Sequence, residues 1–537
     1  MLGFLGRKLG FWKQLKQDSS AASGVTEAKK GEAAQLSDSL DNNLQSLQAR
    51  FHHSSDLKIS TFLFGKNQRF RGATVFIDGL IDNNTLTSAV SWPLLRWEEE
   101  GAPPEPEDIS EVLKHGALYT ADVMSTRSLE DVAAGCLAGD ITVIVDGCST
   151  ALLVSAKGWE KRAISEPSSE TVVRGPREGF TENLRTNTSL IRRKIRSSDL
   201  CVENMIAGEK TQTRMCLMYL KGVANPDVVE TVRYRIAGLE IDSVLESGYI
   251  EQYIEDAPFS VFSTVGYSEK PDVVAARMLE GRVAIAIDGT PFVLTAPMLF
   301  IESFQIAEDY YVRWIYASLI RMLRYVTYVI SVCAPALYIA LTVFHQGMIP
   351  SNILFTLSNA HEGTPLPTFL EMLVMLFGFE LIREAGIRLP RPVGQAISIV
   401  GALIMGEAVV SAGMVGAPTV IVIAITAVAS FLVPDQNNSG TILRVLVTFA
   451  ASILGFYGII MGVLAILIHL ASLESFGVPY FDGFLNHGQD SLIRMPLWSM
   501  LRRPDGIARG DMTRRRFFVP PLRPHARKNT NGGNEES

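Results

Sequence analysis

Between Arg321 and Glu474 only thirteen of 154 residues are Asp, Glu, Lys or Arg, whereas charged residues make up 20% of the whole 537-residue chain. A water-soluble domain of that length exposes too much surface to be covered by so few charges. The stretch therefore predicts a membrane half, and the remainder, correspondingly richer in charge, a soluble half. The mean hydropathy of +0.19 averages over these two unlike parts. A net charge of −7 with 47% hydrophobic residues argues against a basic nucleic-acid binder and against a disordered acidic chain.

Tyr325 to Phe344 is twenty uncharged residues, enough for a helix to cross a hydrocarbon core of about 30 Å. Arg321 and Arg324 precede it and place the soluble half on the cytoplasmic side. Pro335 inside it predicts a kink that a bundle tolerates. Residues 366–382 form a shorter apolar stretch with Glu371 and Glu380, followed by Arg383, Arg388 and Arg391. From 392 to 434 Glu407 is the one ionisable group, and the length suits two spans with a turn near 413–418. Residues 445–473, holding only His469, read as one tilted crossing, too short for two. That makes five hydrophobic segments. The end of the chain conflicts with an odd count: residues 494–537 hold ten Arg or Lys against four Asp or Glu, which predicts a cytoplasmic tail. Either one segment is re-entrant or interfacial, or a further crossing exists.

Small residues crowd two of these stretches. Gly401 and Gly406 lie in one, and Gly458 and Gly462, at small-xxx-small spacing, in the other; such residues let helix backbones approach closely, within one subunit or between subunits. Intramembrane carboxylates are costly unless they face water or a partner, so Glu371, Glu380 and Glu407 are functional candidates. On a helix Ile397, Val400, Ile404, Glu407 and Ser411 share one face, and apolar rings beside a carboxylate ring suit a dewetting gate in a pore. The competing reading is an ordinary buried face with Glu407 hydrogen-bonded to a neighbour. Glu371 and Glu380, nine apart, do not share a face cleanly.

The soluble half contains an internal repeat. Residues 56–90 match 199–233 at an offset of 143, with Gly65 on Gly208 and Gly79 on Gly222; residues 137–147 match 279–289 at 142, both ending in Asp-Gly. Each copy predicts a strand after Asp-Leu, a stronger strand (73–77; 215–220), a helical stretch, and a strand (141–145; 283–287) that runs through Asp-Gly into a hairpin. The expected order is a flexible segment 1–55, a first cytoplasmic α/β domain 56–160, a linker 161–194, a second, repeated domain 195–305, a transmembrane helical bundle 306–475 and a basic cytoplasmic tail 476–537. The fold class is thus two tandem related α/β domains followed by a multi-span helical bundle. Residues 1–17 lack a signal-type apolar run and suit at most a short amphipathic surface helix.

Catalytic chemistry finds little support. Asp78, Asp146 and Asp288 each precede glycine at a strand end, but no phosphate loop, His/Cys cluster or nucleophile elbow accompanies them. A turn aspartate capping its own backbone explains all three. Five widely spaced cysteines offer neither a disulfide framework nor a metal centre. No catalytic residue, metal or cofactor is expected. A secondary transporter is the runner-up reading, but its inverted repeats belong in the membrane part, and the repeat here is in the soluble half.

Longer motifs carry a family resemblance. Residues 280–324 (EGRVAIAIDGTPFVLTAPMLFIESFQIAEDYYVRWIYASLIRMLR) and 365–434, containing FELIREAGIRLPRPVGQAISIVGALIMGEAVVSAGMVGAP, resemble A-subunits of GerA-type spore germinant receptors. So does RMPLWSMLRRP at 494–504. The resemblance covers about residues 55–505; Ala307 stands where a common family form has proline, and the 18–55 segment and Arg-rich end are less typical. It implies a multi-pass protein of the spore inner membrane that works with a permease-like B-subunit and a lipoprotein C-subunit. It also implies homo-oligomers, pentamers, forming a ligand-gated channel that releases cations when nutrient binds. A permease accessory, a scaffold, and a paralogue that amplifies ion release are the alternatives. Membrane lipid is an expected partner and nucleic acid is not.

Overall fold

The sequence repeat is a repeat of sheet topology. The computed structural model describes residues 34–98, 105, 108–118, 122–158, 167, 170, 172–390, 393–394, 401, 403–482, 490–497, 500, 503 and 507–509. The chain divides into two compact units, residues 1–160 with 196–199, and residues 161–195 with 200–537.

In the first unit, strands β1 (Leu57–Phe64), β2 (Phe70–Ile77), β3 (Val123–Thr126), β4 (Asp140–Val145) and β5 (Ala151–Ser155) form one antiparallel sheet. Its order is β1-β2-β4-β5-β3. Helix α1 (Leu40–Arg50) and helix α3 (Leu129–Ala138) cover one face through Leu40, Leu44, Leu47, Val132 and Cys136; helix α2 (Ile109–Gly116), with Val90 and Leu94, covers the other. Because both faces are covered, β4 is buried along nearly its whole length, which is why it reads as a continuous apolar run rather than an alternating one.

The second unit repeats this plan. Helix α4 (Leu184–Lys194) precedes β6 (Leu200–Ala207) and β7 (Thr213–Leu220); α5 (Pro226–Ala237), α6 (Ser247–Ile254), β8 (Gly266–Ser268), α7 (Pro271–Leu279), β9 (Val283–Ile287) and β10 (Val293–Ala296) follow. The sheet order, β6-β7-β9-β10-β8, is that of the first sheet element for element, and the core again lies on both faces.

The repeat starts earlier than the sequence suggested, and two expected linkers are structured. Residues 34–55 are not a flexible segment: α1 buries Leu40, Leu44 and Leu47, and Phe51 just after it, against the first sheet. Its counterpart α4 lies inside the expected linker 161–194 and buries Leu190 and Ile191. The Asp-Gly turns explain the register. Asp146 does not serve its own turn; its Oδ1 accepts the Leu40 N–H at 2.9 Å, and Asp288 Oδ1 accepts the Leu184 N–H at 3.0 Å. Each carboxylate thus satisfies one of the free N–H groups at a helix start. Asn43 and Asn187 are both buried and hold the approach loop, accepting from the Ser37 and Thr181 N–H and donating to their carbonyls.

After β10 the second unit continues into a helical bundle. Helix α8 (Trp314–Ile339) runs on to Phe344 as one element long and apolar enough to cross a membrane. Then come α9 (Ser351–His361), α10 (Thr368–Arg388), a short helical stretch over 404–411, α11 (Ala417–Phe431), α12 (Asn437–Leu454) and α13 (Phe456–Ser472). The pair α11 and α12 passes the same test together but is bent by 115°. The stretch 445–473 is not one straight helix. Gly455, at φ +62°, breaks it, and α13 folds back on α12, with Gly458 against the Ala450 carbonyl and Gly462 facing Val447. A residue with a Cβ resists that backbone angle, which is the physical reason for the break at this glycine.

Two further boundaries move. The helix that carries the apolar stretch begins earlier, at Trp314, so Arg321 and Arg324 lie inside α8. Residues from 476 onward are not simply a tail: Phe476 enters the core of the second sheet domain, and Tyr480 is fully buried between that domain and the bundle. Residues 510–537 lie outside the described set.

Candidate functional site

The ionisable groups of the bundle fall into separate knots, each built where helices meet. The first joins the start of α8 to the segment before it. Asp309 is buried and receives a bidentate contact from Arg324, Nη1 at 2.8 Å and Nη2 at 2.9 Å, with Arg321 Nε at 3.3 Å. Arg321, fully buried, also reaches Asp490 at its carbonyl (2.7 Å) and Oδ1 (3.1 Å). Arg494 lies over the Tyr310 ring and donates to the Asp309 carbonyl. Such paired, multiply bonded charges are stable in a dry interior, and removing one partner leaves an uncompensated charge.

Glu380 forms the second knot, on α10. Its Oε2 pairs with Arg383 at 2.6 Å and its Oε1 with Arg444 of α12 at 3.4 Å. Arg444 in turn donates from Nε to the Ser331 carbonyl of α8 at 2.7 Å. Ser331 lies four residues before Pro335, and proline lacks the N–H that would otherwise occupy that carbonyl. One side chain therefore ties α8, α10 and α12 at the point where the proline interrupts the helix ladder.

Glu371, near the start of α10, makes the third. It is fully buried; its Oε2 accepts from Thr419 Oγ1 at 3.2 Å and the Gly416 N–H at 3.4 Å, and lies 3.4 Å from His361 Nδ1. The other His361 nitrogen meets the Tyr338 hydroxyl at 2.8 Å. Oε1 has no hydrogen-bond partner among the described residues. Gly416 permits the approach, since a Cβ there would stand 3.0 Å from the imidazole. Glu371 and Glu380 thus serve different helix junctions.

The proposed pore face is only partly described. Ile397 and Val400 lie outside the described residues. Ile404 is 50% exposed, and Glu407 is exposed with no partner among the described residues. Ser411 is exposed and bonds back to the Ala408 carbonyl. Of the small residues, Gly401 is buried against Ile382, with 2.7 Å left for a Cβ, whereas one at Gly406 would meet nothing within 4 Å. Gly458 is the close-contact glycine of the α12–α13 hairpin; Gly462 has more room.

A joint connects the second sheet domain to the bundle. The turn after α13 places the Phe476 N–H on Asp256, 2.6 Å away, while Ser475 Oγ donates to the Thr264 carbonyl at 2.7 Å. Phe262 packs among Phe300, Phe304 and Tyr480. Beside it, Ser263 Oγ lies 2.9 Å from Glu251 Oε1, 3.0 Å from Glu255 Oε1 and 2.7 Å from the Val265 carbonyl. One hydroxyl proton cannot serve three acceptors, so at least one carboxyl carries a proton for both Glu contacts to be hydrogen bonds. Burial raises Glu251 to about 7, the Glu255 and Glu246 charges adding to the effect against the Ser263 bond; burial also raises Glu255.

His361, Arg444, Ser331 and Thr419 were not singled out from the sequence. Pro335 with Ser331 four residues earlier, and Arg444 isolated at the edge of an apolar run, were the available signals for one of the knots. Nothing in the sequence pairs His361 with Glu371. Among the described residues no group of three or more His, Cys, Asp or Glu is arranged to hold a metal ion.

Two repeated sheet domains followed by a charge-poor helical bundle, with buried ion pairs at its helix junctions, define the class of chain. Residues 45–506 match the family described as Bacillus/Clostridium GerA spore germination protein, and the chain belongs to that family. It is 42% identical to Spore germination protein KA of Bacillus subtilis (strain 168) over 485 residues, 89% of this chain and 88% of that one. Spore germination protein B1 of the same organism is 38% identical, covering 88% of this chain and 97% of the relative. Uncharacterized membrane protein YfkQ, also from that strain, is 38% identical over 91% of this chain and 95% of its own. The crystal structure of the N-terminal domain of the A subunit of the Bacillus megaterium spore germinant receptor GerK3 aligns at TM-score 0.40 and 34% identity, over 50% of this chain and 98% of that one.

Proposed function

We propose that this chain is the A-type subunit of a nutrient germinant receptor in the spore inner membrane, and that several copies, five by the family resemblance, form a ligand-gated channel that releases cations. The observation that carries this reading is the contrast among the bundle carboxylates. Glu371 and Glu380 are tied off inside the subunit, whereas Glu407 and Ile404 are exposed among the described residues. A carboxylate in an apolar setting needs water or a partner, and a ring of copies around an aqueous path supplies the water. The break at Gly455 supports the topology. With the last apolar stretch divided into α12 and α13, the five hydrophobic segments of the sequence become six, an even count that keeps the sheet domains and the basic tail on the cytoplasmic face. A permease-like B-subunit and a lipoprotein C-subunit complete the receptor.

The test is the protein-only mass of the detergent-solubilised complex, followed by ion flux through it in liposomes. A multi-copy ring that passes monovalent cations is the expected result. A monomer without flux, even alongside its partner subunits and nutrient, would instead favour a scaffold or permease accessory.

A further inference from the structure

The two repeats are completed by different parts of the chain. In the first, the segment following β5 continues beside the turn after β2: Lys157 forms a β-bridge with Ile81, the Gly158 N–H donates to the Leu80 carbonyl at 3.3 Å, and the Asp82 N–H donates to the Ala156 carbonyl at 2.9 Å. Gly139, at the end of α3, keeps the place open; a Cβ there would stand 3.4 Å from Lys157 Cγ.

In the second repeat the chain leaves after β10 for the bundle and cannot fill the same place. Ala508 does so instead. It bridges Ala224, the counterpart of Ile81, and the Arg509 N–H donates at 3.2 Å to the Val223 carbonyl, the counterpart of Leu80. Gly281, the counterpart of Gly139, again makes room. Its Cβ would lie 3.0 Å from Ala508 Cα and from the Ile507 carbonyl. Ile507 is fully buried with Leu299, Ile301 and Val478, and Ala508 is 2% exposed. Arg503 Nε holds the approach through the Leu279 carbonyl at 2.8 Å, and the Arg509 guanidinium pairs with Asp227.

We propose that the second repeat carries a strand-insertion site for an extended segment of the pattern large apolar, small, arginine, and that this chain's own residues 507–509 are its occupant. The backbone bonds supply attachment without regard to sequence. Selectivity comes from the Ile507 pocket and from the Gly281 contact, which admits only a small residue at the next position. The occupant arrives from beyond the bundle, so the domain ahead of α8 is held by chain on both sides of the bundle. The proposal does not rest on the channel reading, and its test involves no flux.

The first repeat supplies the control. In the full-length protein, the pair Ala224→Cys and Ala508→Cys, and separately Ile81→Cys and Lys157→Cys, are oxidised and the linked peptides identified by mass spectrometry. Both pairs are expected to link within one chain. Linking of 81 to 157 without 224 to 508 would overturn the proposal. The site is then probed with a labelled peptide of residues 500–512 (MLRRPDGIARGDM), using full-length protein carrying Ala508→Trp, whose own strap no longer fits. Binding at least tenfold tighter than to the unaltered protein is expected, together with loss of binding when the peptide itself carries the tryptophan. Equal binding to both proteins, or to both peptides, would refute an insertion site.

Discussion

Arg444 Nε lies 2.7 Å from the Ser331 carbonyl, the acceptor that Pro335 leaves unoccupied four residues further along the same helix. Arg444 is 1% exposed and is neutralised by Glu380, so the defect in one helix is repaired by a charge on a second and balanced by a third. A buried, paired guanidinium that also repairs a helix break is hard to replace with an apolar side chain. Replacement leaves Glu380 with Arg383 and the Thr441 hydroxyl but without its second cation, and the Ser331 carbonyl without the Arg444 donor.

Arg444→Leu is therefore expected to lower stability by about 3 kcal/mol. On a Pro335→Ala background the restored N–H serves Ser331, and the same substitution should cost at least about 1 kcal/mol less. Unfolding of all four proteins in one detergent reads the coupling directly; strictly additive effects would mean that Arg444 does not serve the proline break.

The α12–α13 hairpin separates two glycines that look alike in sequence. A Cβ at Gly458 would overlap the Ala450 backbone, whereas at Gly462 the nearest atom, of Val447, is 3.5 Å away. Gly458→Ala should cost roughly 1–3 kcal/mol through forced helix separation, and Gly462→Ala almost nothing. Thermal melts of the two variants decide, and equal losses would contradict the hairpin packing.

The Glu251–Ser263–Glu255 cluster makes the joint pH-dependent. Burial holds Glu251 near 7, above its ordinary 4.5. The folded state thus binds a proton that the unfolded chain releases. The stability it contributes is present in full below about 4.5 and is lost as pH rises through 7, on the order of 3 kcal/mol in all. Stability of the protein measured from pH 5 to 8 should fall accordingly, and Glu251→Gln should flatten that part of the profile. An unchanged slope in the variant would assign the dependence elsewhere.

Asp146 and Asp288 are equivalent caps. Alanine at either position should cost about 1 kcal/mol and raise amide exchange selectively at the start of α1 or α4, respectively. Exchange confined to the Asp-Gly turn itself would count against the capping role.

For the proposed pore face, Val400→Ala and Glu407→Ala should each alter nutrient-triggered ion release and germination severalfold while leaving the amount of receptor in the membrane unchanged. Wild-type behaviour in both variants would remove this face from the conduction path.

The sheets were legible because strands such as β4 and β9 are covered on both faces and show as unbroken apolar runs ending in Asp-Gly. The leading helices were not. The α1 sequence spreads three buried leucines among Asp, Asn and Gln, and nothing local marks it as covered. The missed signal lay ahead of the shared Asp-Leu, in Ser-Ser at 54–55 and 197–198 and in Leu40 and Asn43 recurring as Leu184 and Asn187. In the bundle, apolar length located helices but not their breaks. A glycine inside a run marks a stop only when its backbone angle is known, as at Gly455. Arg321 and Arg324 look the same in sequence whether they face headgroups or, as here, Asp309. Of the carboxylates, the sequence located Glu371, Glu380 and Glu407, but His361 and Thr419 beside Glu371, and Arg444 beside Glu380, come from other helices that no spacing rule connects.

The bridge between Ala224 and Ala508 has a consequence for how the molecule is made. The first repeat has every piece it needs once Gly158 has been synthesised. The second must wait, its last contact still missing, until the described helices of the bundle have been translated, so its final locking follows theirs in synthesis.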